Sequence, residues 1–352
     1  MNTRRSLLRA GIGAAAAALL PGQQPDNVVV PGVLPPVQPV KDRSTVVLLG
    51  GSDRRRLVRD SLAALDPQLR TTISRKTYVL IKPNLTSVTN QVASTHPDAL
   101  RGILDYLAPW FRGPVVIAEA ASGDTREGFD NFSYHKLIPE FRPRQVSLID
   151  LNEEGRSVVV PLIDRDIHLN PVRMAARFFD SSAFVLCAAV LKTHDSVVAT
   201  LAVKNMAMGA PLHSVRGASD RFDDKRKFHN GGPHQQNYNL MAMAQKLAPN
   251  WGLALIDGFE GMEGNGPVSG TPVPSRLMIA SMDYVAADRV GVELMGMPAE
   301  WVGYLRYCEQ VGVGNYDLGR IDVRGEKIET LKRKYRLHRD VDRQLRWLGP
   351  LA

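Results

Sequence analysis

The sequence predicts an α/β protein: a doubly wound, mostly parallel sheet with helices on both faces. Three observations carry this expectation. From residue 45 onward, short runs rich in Val, Ile and Leu alternate with amphipathic segments, the arrangement of successive βαβ units. Several of these runs break off into Lys, Asn, Asp and Gly, as strands do where their carboxyl ends meet ligand-binding loops in open α/β sheets. The stretch AFVLCAAVL within 182–191 shows no polar alternation, which reads as a central strand covered on both faces.

The bulk properties agree. A chain of 352 residues can bury a substantial core, and 44% hydrophobic with 23% charged residues is a globular composition. The formal net charge of +8 is confined to the ends: Arg4, Arg5 and Arg9 contribute three charges, and the excess of Lys and Arg over Asp after residue 330 contributes five. Residues 10–330 are therefore neutral in sum, which argues against a nucleic-acid-binding face. The two cysteines, Cys187 and Cys308, lie far apart and form no CxxC pair, so the chain cannot build a thiolate zinc site or an iron–sulfur cluster from its own cysteines.

Taken in order, residues 1–22 combine a basic start, an Ala-rich run and small residues near a cleavage point. This is the pattern of an export signal, too short in its apolar part to span a bilayer. Thr3-Arg4-Arg5-Ser6-Leu7-Leu8 resembles the twin-arginine motif, with an ordinary secretory signal as the alternative. The expected partner is the twin-arginine export machinery. The expected location is the periplasm or the outer face of the cell envelope, with no transmembrane segment in the mature chain. Residues 23–43 are Pro-rich and aperiodic, an extended linker.

The α/β domain is expected over 44–327. Residues 45–51 read as a strand, 53–65 as an amphipathic helix, 78–81 as a strand and 97–108 as a helix started by His96-Pro97-Asp98. A strand over 115–118 follows, then two short strands, 146–150 and 157–161, around a turn at Glu154-Gly155. After the central strand comes a helix reaching Gly209, then a long loop over 210–235, a helix over 238–247 and strands over 253–256 and 276–281. Asp283 is expected to cap a helix over 283–295, followed by a small helix (301–310) and a strand (320–323). The basic tail, 328–352, reads as a charged helix or a disordered arm of low order.

Chemistry concentrates where apolar runs end. Lys82, Asn84 and Thr86 offer an ammonium, an amide and a hydroxyl; Lys192, Thr193, His194, Lys204 and Asn205 add two ammoniums, an imidazole and an amide. Lysines at strand ends suit an anionic ligand, held as a point charge. The stretch IDGFEGMEGNGPVSGTPVP (256–274) brings Asp257, Glu260 and Glu263 together with Gly264 and Gly266. It reads as a wide glycine-rich loop that lets the backbone approach a ligand. Its carboxylates could hold a divalent cation or pair with the lysines. His194, His229 and His234 are the candidate proton carriers or metal ligands, whereas His213 and His338 read as surface residues. Neither GxxxxGK[ST] nor GxSxG occurs, which removes the P-loop and the α/β-hydrolase nucleophile elbow.

These same residues give the chain a resemblance to the domain of unknown function 362 family. The matching motifs are Ile81-Lys82-Pro83-Asn84, Ser122-Gly123-Asp124, Leu191-Lys192-Thr193-His194, Lys204-Asn205-Met206 with Gly209, and Asp257-Gly258 through Glu263-Gly264-Asn265-Gly266-Pro267. The resemblance covers roughly 45–325 and implies an α/β domain with a site built from these motifs, without supplying a reaction. Some relatives carry ferredoxin-type cysteine clusters, which this chain lacks.

Two functions are open from the residues alone. One is an exported enzyme acting on a small anionic substrate, with a divalent metal as an optional participant. In it Lys82, Asn84, Lys192, Thr193, Lys204, Asn205, Gly264 and Gly266 would bind the substrate, and His194, His234, Asp257 and Glu263 would carry the chemistry. A racemase-like activity with a nickel cofactor is a further option on the same Lys and His content. The other function is a non-catalytic ligand-binding or accessory protein of an exported redox system.

Overall fold

The structure, a computed structural model, describes residues 28–29 and 42–349. The export signal and most of the Pro-rich stretch lie outside the described residues. Within that stretch is β1 (Val28–Val29); the main body then runs β2 (Ser44–Gly50), α1 (Arg54–Ala63), α2 (Gln68–Ser74), β3 (Tyr78–Lys82), α3 (Pro97–Leu107) and β4 (Val115–Glu119). It continues through α4 (Thr125–Asn131), α5 (Leu137–Glu140), β5 (Val146–Asp150), β6 (Ser157–Ile163), β7 (Leu169–Ala175), β8 (Ala183–Thr193), β9 (Ala199–Thr200) and α6 (Ala202–Gly209). The last part comprises α7 (Asp224–His229), α8 (Gly232–Leu247), β10 (Trp251–Glu263), β11 (Thr271–Val273), β12 (Leu277–Ser281) and α9 (Tyr284–Leu294). It closes with α10 (Gly303–Gln310), β13 (Ile321–Gly325), α11 (Ile328–Leu331) and α12 (Val341–Gln344).

The main sheet has the order β13-β2-β12-β10-β8-β3-β4-β5, with β9 on β8 and β11 on β10. Along this path only β12 runs antiparallel to its neighbours. Side-chain alternation divides the core into two layers. Val79, Ile81, Ile117, Leu186 and Leu255 face α1 and α3 with Val58, Leu62, Ile103 and Leu107. Leu80, Ala118, Cys187, Ala189 and Ile256 face α6, α8, α9 and α10 with Ala207, Met243, Val290 and Leu305. The strand β8 is buried along its whole length, as its unbroken apolar run requires. The α1 and α9 starts carry side-chain caps, Asp53 accepting from Arg56 N and Asp283 from Val285 N and Ala286 N.

Several expectations need correction. The glycine-rich stretch after residue 256 is mostly strand. β10 extends to Glu263, pairing with β12 as far as Gly258 and with β11 from Gly261 to Glu263, and its register against β8 shifts between Asp257 and Met262. Its glycines serve close packing: a Cβ on Gly258 would lie 2.5 Å from Leu277 Cδ1, and one on Gly261 would lie 2.3 Å from Tyr335 Oη. Only the segment from Gly264, at φ +72°, makes the turn. The strand at 157–161 pairs not with 146–150 but with β7, in a separate three-stranded sheet β1-β6-β7. Pro171 broke the apolar alternation that would have marked β7. The loop expected over 210–235 contains α7, capped by Asp223 at Arg226 N.

The C-terminal segment is packed against the domain rather than loose. Tyr335, His338, Gln344 and Trp347 are buried, which also corrects the reading of His338 as a surface residue. Lys and Arg alternate there with a few large apolar side chains that pin it; a net-charge argument averages them away.

Candidate functional site

The strands β3 and β8 are neighbours, yet the chain leaves them in opposite directions: β3 leads to β4 on one side and β8 leads, through α6 to α8, to β10 on the other. Such a switch point leaves a crevice outside the carboxyl ends of the strands. Lys82 ends β3, Glu119 ends β4, and Lys192 and Thr193 end β8. The polar motifs sit there because the parallel register brings three strand ends to one edge.

The side chains interlock. Lys82, only 1% exposed, donates to Glu119 Oε2 at 2.7 Å, Asn205 Oδ1 at 2.7 Å and Pro83 O at 2.8 Å. Glu119 also accepts from Leu85 N and Ala120 N. Asn84 Nδ2 donates to Asn205 Oδ1 at 2.9 Å. Lys192 donates to Asn84 Oδ1 at 3.0 Å, Thr86 Oγ1 at 2.9 Å and Ala93 O at 2.6 Å. Burial, with the charges of Lys204 and Lys82, holds its pKa well below the usual lysine value. Both lysines thus have a full set of three acceptors and act as the framework of the site. Gly209 has to be glycine for this arrangement, because a Cβ would lie 2.0 Å from Lys82 Cε and 2.2 Å from Nζ.

This framework is one wall of a cavity of about 480 Å³, a volume typical of small-molecule sites. Lys204, at the third position of α6 and only 6% exposed, lines it. Among the described residues its Nζ makes no hydrogen bond and no ion pair, and burial lowers its pKa to about 8, with Asp195 opposing the shift. Lys225, in α7, also lines the cavity; it has one hydrogen bond, to Met208 O at 2.8 Å, and burial lowers its pKa to about 7, against the pull of Glu119. His194, 4% exposed, has Nδ1 2.9 Å from Asp195 Oδ1, 3.0 Å from Ser196 Oγ and 3.1 Å from Ser196 N. Burial, with the Lys204 charge adding, pushes its pKa down to about 3, so the ring is neutral, and its Nε2 has no partner among the described residues. With Lys82 and Glu119 neutralising each other, the lining leaves Lys204, Lys225 and Arg343 as cations against Asp195.

The structure thus brings Lys82, Asn84, His194, Lys204 and Asn205 to one cavity, with Lys192 in the shell behind them. Thr193 Oγ1 donates to Gly264 O at 2.9 Å, and Gly266 packs so closely on Thr193 that a Cβ would lie 2.3 Å from its carbonyl oxygen. These residues, with Pro267 reaching the lining, support the wall. Other predicted residues fall elsewhere. Asp257 points to the opposite sheet face, paired with Arg54 at 3.1 Å, because alternation along β10 puts it with the α1 layer. Glu263 accepts from Arg336 N at 2.9 Å. His234, at the start of α8, lies 2.9 Å by Nε2 from Gly349 O and does not line the cavity, whereas His229 does. His213 is half-buried, its Nε2 2.7 Å from Ala121 O. Among the described residues, one group has three ligand atoms within 4.8 Å of one another: Asp164, Asp166 and His168, on the exposed β6–β7 connection. Cys187 and Cys308 are buried and free.

Sequence reasoning did not single out Glu119, Asp195, Lys225 or Arg343. Glu119 did carry a signal, as a lone acid ending an apolar run in the same way as Lys82. Lys225 and Arg343 carried none, since they reach the cavity from a presumed loop and a presumed tail.

A largely parallel sheet with a cation-rich cavity at its strand ends defines an α/β protein with a candidate ligand site at the topological switch point. More particularly, the chain belongs to the family described as Domain of unknown function (DUF362), which matches residues 79–293. The match stops short of the segment that supplies Arg343. The Thylakoid-associated protein sll1697 of Synechocystis sp. is 24% identical over 244 residues, covering 67% of this chain and 68% of the relative. Two solved structures are similar: the lactate racemase apoprotein from Thermoanaerobacterium thermosaccharolyticum, with TM-score 0.45 and 11% identity, and a Thermotoga maritima protein, with TM-score 0.38 and 13% identity. The matches cover 73% and 75% of this chain but only 57% and 59% of those chains. Among the described residues no helix is long and apolar enough to cross a membrane.

Proposed function

We propose that the protein is an enzyme that binds a small organic anion in this cavity and moves a proton on it, with Lys204 as the binding cation and His194 as the proton carrier. The observation that carries this reading is the Lys204 ammonium, nearly buried, cavity-lining and, among the described residues, without a hydrogen-bond or ion-pair partner. A charge removed from water is costly unless paired, and an arriving carboxylate supplies the missing partner. Lys225, with donors to spare, lies on the same lining. His194 is neutral at physiological pH. Ser196 N–H donates to Nδ1 in the tautomer with Nε2–H, and moving that proton to Nδ1, where Asp195 accepts it in place of the Ser196 contact, gives Nε2 a lone pair for the ligand. Lys82, Asn84, Lys192 and Asn205 hold the strand ends in place. The twin-arginine-type residues 3–8 support action beyond the cytoplasmic membrane.

A thermal-shift screen of small organic acids tests the binding step. The wild-type protein should gain several degrees with at least one acid at millimolar concentration, and Lys204→Met should lose that gain while keeping its own melting temperature. An unchanged gain in Lys204→Met would refute the assignment. The chemical step is read by incubating that acid in D2O: wild type should incorporate deuterium beside the carboxylate, and His194→Asn should not.

A further inference from the structure

The segment after α11 runs across the edge of the sheet where the strands end. Its anchors are Arg333 N on Leu294 O at 2.8 Å, Tyr335 N on Met295 O at 2.9 Å, and Arg336 O, which accepts from Gly264 N at 2.7 Å. Further on, the Trp347 indole donates to Trp301 O at 2.9 Å. Between these anchors, Gln344 is 2% exposed and its Oε1 accepts from Val198 N at 2.7 Å. Val198 is a β-branched residue at φ +68°, a conformation that persists only where surroundings hold it. It ends the turn that carries His194, Asp195 and Ser196, and its carbonyl accepts from His194 N at 2.9 Å. Gln344 therefore ties the C-terminal segment to the cavity wall.

The residue before it, Arg343, lines the cavity. Its side chain is 64% exposed, and its one ion pair among the described residues is a long one, to Asp340 at 3.9 Å. Among the described residues its donors make no hydrogen bond, and a guanidinium fork matches a carboxylate or phosphate edge. The cavity therefore has two separate cationic groups: Lys204 and Lys225 deep in the wall, and Arg343 at the rim.

We propose that Arg343 grips a second negative group on the ligand, so that the site takes a small dianion with charges at both ends. This rests on the anion reading of Lys204 and adds a second contact to it. Because Gln344 fixes the backbone beside Arg343, the arginine is held at the cavity mouth before the ligand arrives, with its guanidinium still to be ordered by the ligand.

Calorimetric titration of the full chain with matched acids tests this: malonate against propionate, succinate against butyrate, glutarate against valerate. In each pair a carboxylate replaces a methyl group at equal carbon number. Wild type should bind at least one diacid about tenfold more tightly than its partner monoacid, the scale of one charge-assisted contact. Arg343→Gln should remove that preference and leave monoacid affinity within about twofold. A wild type without diacid preference, or an Arg343→Gln variant that weakens both acids equally, would overturn the proposal while leaving Lys204 as a monoanion site. No binding of either acid class would overturn both readings.

Discussion

The imidazole of His194 sits where burial, with the Lys204 charge adding, disfavours protonation and outweighs Asp195, which favours it. Its pKa in the folded protein, about 3, lies below the ordinary 6.5. As pH falls below 6.5 the unfolded chain takes up a proton that the folded chain refuses. The stability present above 6.5 is therefore lost between there and 3, at up to ~1.4 kcal/mol per pH unit. Urea unfolding followed from pH 7 to 4 should show a shallower loss in His194→Asn than in wild type. His96, pushed down to about 4 chiefly by burial and further by the Arg54 charge, accounts for part of the remaining slope. Equal slopes in the two proteins would mean that His194 is not a buried neutral group. Lys204 titrates in the opposite sense: it is charged below about 8, so anion affinity should fade as pH rises through that value.

At the scale of elements, α6 is the piece that delivers Lys204 and Asn205, and its start depends on one distant carboxylate. Asp288, fully buried in α9, accepts from Ala202 N at 2.8 Å and Val203 N at 3.0 Å. Asp288→Ala would leave two buried amides without acceptors and should cost about 2 kcal/mol or more, read as a lower urea midpoint at unchanged m-value. A loss below ~0.5 kcal/mol would show that α6 holds without this cap. Asp288 also illustrates what sequence reading reaches. The helix carrying it and its own cap Asp283 were legible from local pattern, but no local rule ties Asp288 to an amide 86 positions away. The same holds for the site. Lys82 and Lys192 were legible as polar ends of apolar runs, because strand ends in parallel sheets converge. That both are fully paired within the protein, while Lys204 is not, depends on Asn84, Glu119 and Asn205 meeting in space. The glycines of β10 misled for a related reason: glycine marks close packing as readily as a turn.

For the whole molecule, the doubly wound sheet sets the site at the β3–β8 switch, and the C-terminal segment completes its rim. The sequence made the alternation of strands and helices plain, since that pattern is local and periodic. It hid the β6–β7 sheet behind Pro171 and the packed tail behind its net charge. The proposed function requires an anion seated at Lys204, which a crystal structure of the wild-type protein with the tightest-binding organic acid would reveal. The prediction is a carboxylate oxygen about 2.7–3.1 Å from Lys204 Nζ, in the cavity walled by His194 and Asn205. An acid bound elsewhere, or Lys204 turned to a protein acceptor with the cavity empty of the acid, would overturn the anion-binding role of Lys204.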